Sequence, residues 1–338
     1  MIDDFAVFIL THGRADNVIT YRTLQKQGYT GKVYFIIDNE DAQAARYRQL
    51  YGDKVIMFDK IAIAKMFDEG DNFQDRRTIL HARNASFGIA KQLGITYFVQ
   101  LDDDYTQFRY RYDSELVYEH RNTVKSLDAL FDIVLEYYRS IPALSIALGQ
   151  GGDYIGGSNS TTGGHLWLKR KAMNSFFCST KRPFFFRGRM NEDVNTYVQI
   201  GNRGGLLFSF FNVSLEQKTT QSNPGGITEA YKKYGTYVKS FYTIMHSPSS
   251  VKVATMHSSR ERIHHEINWD KTVPRIVGES IRKSQTDSCR YCTGPLLDYP
   301  GENRVFCSAQ CALNFWEQQQ NADAIYTDEY LQNCIILG

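Results

Sequence analysis

A mostly apolar, β-prone run, Tyr97-Phe-Val-Gln-Leu101, leads without a break into three carboxylates, Asp102-Asp103-Asp104. The run reads as a buried strand. Three adjacent negative charges repel one another, and a fold tolerates them best with a cation among them. A strand of an open α/β sheet delivers its following loop to a ligand crevice, where such charges find use. Carboxylate oxygens suit Mg2+ or Mn2+, ions usually shared with the phosphates of a substrate.

The chain before this strand alternates. Strands are expected at Phe5 to Leu10, Val33 to Ile37 and Lys54 to Phe58. Between them, helices are expected through Gln27, capped by Asp16, and through Leu50. A third, Thr78 to Leu93, stops at Gly94. This alternation predicts an α/β fold, a mostly parallel sheet flanked by helices. The second half is less regular. We expect a helix over Leu127 to Arg139, a strand over Leu144 to Leu148, and a loop over the Gly/Ser/Thr-rich Gly149 to Gly164. A short strand over His165 to Lys169, a helix from Asn191 to Ile200 and a strand over Leu206 to Phe211 follow, then a polar stretch from Lys218 to Gly235.

Composition decides compartment and partner class. Net charge is +2, so no global field demands a nucleic-acid partner. The Phe5 to Leu10 run is too short to span a membrane and is preceded by Asp3 and Asp4, so we expect no membrane partner and a reducing, cytoplasmic setting. Four of the six cysteines cluster late, as Cys289-x-x-Cys292 and Cys307-x-x-x-Cys311. In a reducing compartment that clustering points to metal rather than disulfides. Two such pairs can wrap a tetrahedral Zn2+ with four thiolates, a closed and therefore structural site. Phe306 to Cys311 reads as a turn opening a helix through Phe315 and Trp316, and Cys178 and Cys334 remain as plain thiols.

Other residues point to a nucleotide. Thr11-His12-Gly13-Arg14 follows the first strand and can present backbone N–H groups and a guanidinium to phosphates or a base. Asp38 ends the second strand, where a carboxylate can accept from ribose or uracil. Arg83 and Asn84 precede the acidic strand and either hold the nucleotide or brace the acidic loop; Arg76 and Arg77 read as a solvated face. Gly163-Gly164-His165 allows close backbone approach to a sugar. Glu192-Asp193 opens a helix, and either acid can serve as a base or as a partner of the helix dipole. Among the late histidines, His257, His264 and His265 are candidates for a nitrogen ligand. Arg109 to Tyr112, Lys169 to Lys171, and Lys181, Arg182, Arg187 and Arg189 interleave cations with aromatics, a pattern that suits a phosphate backbone and an extruded base.

Taken together, these residues resemble the GT-A glycosyltransferases over about residues 1 to 275. The resemblance implies a domain over 1–278, with a nucleotide-binding half at 1–105 and an acceptor half at 106–278, and a four-cysteine zinc-finger module at 285–338. It implies that Asp104 binds the metal carrying a UDP-sugar diphosphate, with Asp102 facing the ribose or bridging through water, and with His257 or His264 as further ligands. It implies that Gly163, Gly164 and His165 line the donor sugar, and that Asp193, with Glu192 second, is the catalytic base. Phe8-Ile-Leu-Thr-His-Gly-Arg14, the acidic triplet, the late His-rich stretch and the appended cysteine finger are similar to a narrower group. These are phage enzymes that glycosylate modified DNA bases, the TET-associated group related to the base J glucosyltransferase. That implies Mn2+ or Mg2+, structural Zn2+, a UDP-sugar donor and a hydroxymethylated pyrimidine in double-stranded DNA as acceptor. Two other readings stay open: a GT-A enzyme acting on a glycan, protein or small molecule, and a non-catalytic zinc-finger nucleic-acid-binding protein.

Overall fold

The computed structural model describes residues 4–73, 75–115, 117–119, 122–154, 157, 166–167, 172, 174–217, 237–256, 261–278, 289, 292, 306–314 and 325–336. Its frame is one nine-stranded sheet in which β1 (Phe5–Leu10), β2 (Lys32–Asp38), β3 (Val55–Phe58) and β4 (Tyr97–Asp102) run parallel in the order β3-β2-β1-β4. All six residues of β1 are buried, as expected of a parallel strand covered on both faces. Beyond β4 the sheet continues through β8 (Ser175–Ser179), β6 (Ser145–Gln150), β9 (Leu207–Gln217) and β5 (Tyr105–Tyr110), with β7 (Leu166–Trp167) added on β9. Pairing there is antiparallel except between β6 and β9. The parallel half therefore matches the alternating first part of the sequence, and the mixed half matches the irregular second part.

Helices α1 (Ile19–Lys26), α2 (Ala44–Tyr51) and α5 (Leu127–Ser140) contribute to one hydrophobic core, through Leu24, Tyr47, Leu130 and Val134 among others. On the other face α3 (Lys60–Met66), α4 (Leu80–Gln92) and α6 (Glu192–Asn202) contribute Ile63, Leu80, Phe87 and Tyr197. A helix α7 (Val238–His246), a hairpin of β10 (Val251–Met256) and β11 (Arg262–Ile267), and a short α8 (Trp269–Thr272) follow. The first helix is not capped by Asp16. That residue sits in a 3-10 turn and pairs with Arg46 at 2.5 Å, while Val18 occupies the cap of α1.

The last helix, α9 (Asp328–Cys334), belongs to the main body rather than to the cysteine module. Tyr326, Tyr330 and Cys334 are buried in the α3–α4 core. Tyr330 Oη receives the Gly88 N–H at 2.9 Å and donates to the Asn84 carbonyl. The helices approach so closely that a Cβ on Gly88 would stand 2.3 Å from Cys334 Sγ and 3.0 Å from Tyr330 Cε1. Gly88→Ala should therefore destabilise by about 1–3 kcal/mol through overpacking, read as a lowered Tm. An unchanged Tm would show that α9 is not packed there.

Candidate active site

The parallel register brings three strand ends side by side. Leu10 pairs with Ile36 on one side and with Asp102 on the other, so the loop after β1 lies between Asp38 and the acidic triplet. This is the crevice outside the carboxyl ends of an open α/β sheet. The three acids of the triplet then part company. Asp103 turns inward, accepting from Thr11 Oγ1 at 2.7 Å and from Arg14 Nη1 at 2.6 Å. Burial raises its carboxyl above the ordinary value against the pull of Arg14 and Thr11. Asp102 faces the other way, toward α4, and Asp104 stands half-buried at the turn into β5. Thr20 fixes this turn: its N–H reaches the Asp103 carbonyl at 3.1 Å, its Oγ1 donates to the Asp102 carbonyl at 2.6 Å, and the Tyr105 N–H donates to the same Oγ1 at 2.9 Å.

The loop of residues 11–14 is equally constrained. Tyr47 Oη meets Thr11 Oγ1 at 2.7 Å and receives the Arg14 N–H at 2.9 Å. Gly13 adopts φ +69°, a conformation glycine takes without cost, and its N–H donates to Asp41 Oδ2 at 2.8 Å. Asp38 is buried beside His12 Nδ1 at 2.8 Å and Lys60 Nζ at 3.3 Å. Burial opposes its ionisation, but the His12 hydrogen bond and the Lys60 charge outweigh it and hold the carboxyl below its ordinary value. The same hydrogen bond raises the His12 imidazole. Lys60, Tyr47, Asp41 and Thr20 were not singled out from the sequence. Asp41 closes the Asp38-Asn-Glu-Asp41 run, but nothing local marks the other three.

Arg83 braces the acidic loop. Its side chain, 1% exposed, donates from Nη2 to Asp102 Oδ1 at 3.1 Å and from Nε to Glu192 Oε1 at 3.1 Å. The rings of Phe176 and Phe186 lie 5.1 and 5.6 Å from the guanidinium. Burial pushes Asp102 up to about 7, with Asp104 and Glu192 adding to it and Arg83 opposing. Glu192 is likewise pushed up to about 7 by burial and by Asp193. Asp193 accepts the Val194 N–H at 2.8 Å, at the start of α6. Asn84, beside Arg83 in sequence, does something else. Its Nδ2 donates to the Phe186 carbonyl at 3.0 Å and its Oδ1 receives the Phe186 N–H at 2.7 Å, so both ends hold the chain leading to α6.

The basic stretches divide. Arg189 is buried and held by Asp71 at 2.8 Å and Glu69 at 2.6 Å; Arg182 donates to the Ile141 and Tyr138 carbonyls; Arg111 packs on Tyr154 at 4.7 Å and bonds Ser214. These cations are structural and do not form the phosphate-facing patch expected of them. Arg187 and Lys181 are exposed, and Lys169 to Lys171 lie outside the described residues. Arg76 pairs with Glu40 and Arg77 with Asp75. Gly163, Gly164, His165 and His257 also lie outside the described residues. His264 is on β11 with its ring 4.2 Å from that of His265, and it does not join Asp102 and Asp104 in a metal-binding group.

Two metal questions have different answers. Among the described residues, the four thiols of Cys289, Cys292, Cys307 and Cys311 are the set that converges, all Sγ atoms within 4.8 Å of one another. Tetrahedral Zn2+ with thiolates at about 2.3 Å places sulfurs roughly 3.8 Å apart, so the cluster fits zinc. Among the described residues the acids form no such cage. Mg2+ and Mn2+ are commonly bound by one or two carboxylates plus phosphate and water, and Asp102 and Asp104 offer carboxylates at one turn.

The loop after β1, Asp38 and the acidic turn thus meet at the carboxyl ends of an open α/β sheet, where such folds bind ligands. Residues 5–226 match the profile of the TET-Associated Glycosyltransferase family, and the chain belongs to it. It is a glycosyltransferase. A comparison with curated proteins finds no sequence match. Among solved structures it is distantly similar to glucosyl-3-phosphoglycerate synthase from Mycobacterium tuberculosis in complex with Mn2+, UDP and phosphoglyceric acid. Identity is 8%, TM-score 0.41, with 78% of this chain and 86% of that one covered. It is also distantly similar to the mannosyltransferase PcManGT from Pyrobaculum calidifontis in complex with GDP-Man and Mn2+, at 12% identity and TM-score 0.40, covering 72% and 73%. No helix among the described residues is long and apolar enough to cross a membrane.

Two outcomes follow from this geometry. Cys292→Ser should lower bound zinc and destabilise the cysteine segment, because binding free energy at such sites is also folding free energy. Stoichiometric zinc in a Cys292/Cys311 double variant would refute the site. A carboxyl poised near 7 must lose its proton to take a cation, so Mn2+ affinity at Asp102 should rise with pH through about 7 and level off above it. A flat profile between about pH 6 and 8 would show that no group titrating there, Asp102 included, gates the cation.

Proposed function

We propose that the chain moves a sugar from a UDP-sugar to the hydroxymethyl group of a modified pyrimidine in double-stranded DNA. The setting would be a phage-infected cytoplasm. Membership of the TET-associated family supports the reading. The observation that carries it is the acidic turn at the carboxyl end of β4, joined through Arg83 to a second pair of acids at the start of α6. An inverting sugar transfer uses both: a place for the diphosphate and, across the anomeric carbon, a base for the acceptor.

Asp104 and Asp102 would hold Mg2+ or Mn2+, which when bound offsets the charge developing on the departing diphosphate. The loop Thr11 to Arg14 and the buried Asp38 with His12 and Lys60 form the side of the crevice suited to the nucleoside. Asp193 is the proposed base. It takes the proton of the acceptor hydroxyl as that oxygen bonds to the anomeric carbon and the bond from that carbon to the diphosphate breaks, releasing UDP. Glu192, tied to Arg83, positions the start of α6 and stands second as base. Exclusion of water from the crevice keeps the donor from hydrolysis.

The deciding measurement is UDP release from a panel of UDP-sugars, with and without hydroxymethylated duplex. Release that depends on the modified base is expected; release driven equally well by a glycan or small alcohol would replace DNA as acceptor. Asp193→Asn keeps the shape but removes the proton acceptor, so turnover should fall about 10²–10⁴-fold with donor affinity unchanged. Lost donor affinity would move Asp193 to the donor side. Asp104→Asn should abolish turnover at limiting metal, and wild-type turnover there would remove the acidic turn from the chemistry.

A further inference from the structure

Arg83 offers its nitrogens unequally. Nε reaches Glu192 and Nη2 reaches Asp102, both at 3.1 Å, while the buried Nη1 has no hydrogen-bond partner among the described residues. One guanidinium is thus divided between two carboxylates that sit on different elements, the end of β4 and the start of α6. A single bond to each forgoes the paired, two-bond geometry that adds both strength and geometric specificity to arginine–carboxylate contacts. Phe176 and Phe186 keep the group in an apolar slot, where a change of partner is felt strongly. Beyond these two acids, the titratable groups acting on it are Tyr105 and Asp193.

We propose that Arg83 couples the two halves of the site: a divalent cation on Asp102 takes over that carboxylate, and Arg83 then closes on both oxygens of Glu192 and fixes the start of α6. The proposal rests on the reading that Asp102 and Asp104 receive the cation and the donor diphosphate. Nε and Nη2 already point the right way, since these two nitrogens form one side of the guanidinium fork. Asp193, the next residue, is thereby held more firmly when the donor side is loaded. An empty donor site leaves Arg83 shared between the two carboxylates. Arg83 and Glu192 act here as positioning residues, and the linkage must work in both directions.

That reciprocity gives a test independent of turnover and of the acceptor. Mn2+ with UDP is titrated calorimetrically into the full-length wild type, Glu192→Gln, Arg83→Met and the double variant. Glu192→Gln returns Arg83 to Asp102, where it competes with the cation, so affinity should fall roughly 5-fold or more. In the Arg83→Met background the same change should alter affinity less than about twofold, because the shared group is gone. Equal effects of Glu192→Gln with and without Arg83, or no effect in either, would overturn the coupling. If Arg83→Met does not fold, Arg83→Gln replaces it: a neutral amide brings no cation to compete for Asp102, so the coupling should again be lost. A wild type that binds no Mn2+ with UDP, or an Asp104→Asn variant that binds as tightly, would overturn the cation site and the coupling together. Additivity in a protein that does bind overturns the coupling alone.

Discussion

A buried cation between two carboxylates organises this site. Moving a guanidinium out of water is expensive, and the cost is offset only by good hydrogen bonds to opposite charges. Arg83 meets that condition with Asp102 and Glu192. Each partner then has its place in the chain set by the other. Deleting Arg83 would leave two carboxylates without their shared cation, whereas exposed pairs such as Arg46 with Asp16 contribute little. The surrounding elements serve this arrangement. The Gln100 side chain donates to the Arg83 carbonyl at 2.9 Å, tying the helix to the strand that carries Asp102.

The acidic triplet is resolved by direction rather than by charge neutralisation at one point. Adjacent residues at a strand end alternate sides. Asp103 therefore falls on the side of Thr11, Arg14 and Tyr47, while Asp102 falls on the side of Arg83. Asp103 is spent on holding the loop after β1, and that loop in turn shapes the nucleoside side of the crevice. Asp103 and Asp102 are thus held by two different arginines, Arg14 and Arg83, on opposite sides of the strand end.

A second clasp ties the acceptor side. Arg189 holds Glu69 and Asp71, Tyr242 of α7 donates to Asp71, and Asn191 donates to the Lys239 carbonyl and to Thr243 Oγ1. Segments distant in sequence are joined next to the start of α6, where Glu192 lies. The cysteine cluster lies between this body and α9 in the chain, and α9 is anchored on the body by Tyr326 and Tyr330.

Much of this was legible in the residues themselves. The apolar runs set β1, β2 and β4 to within a residue or two, because strands buried on both faces must be continuously apolar. The convergence of Cys289, Cys292, Cys307 and Cys311 was readable from spacing, because four thiolates in two short pairs have little else to do. Strand β8, helix α3 and the hairpin were not read, since their residues carry no distinctive period. Long-range pairing was invisible as well. Nothing local says that Arg83 reaches Glu192 across 109 positions, that Arg189 and Arg111 are consumed internally, or that Asn84 holds Phe186 rather than a ligand. The sequence by itself determined which chemical groups are present and which strand ends carry them. The tertiary structure alone decided which acid faces which cation, because that depends on how the sheet order and two helical layers bring distant segments into hydrogen-bond contact.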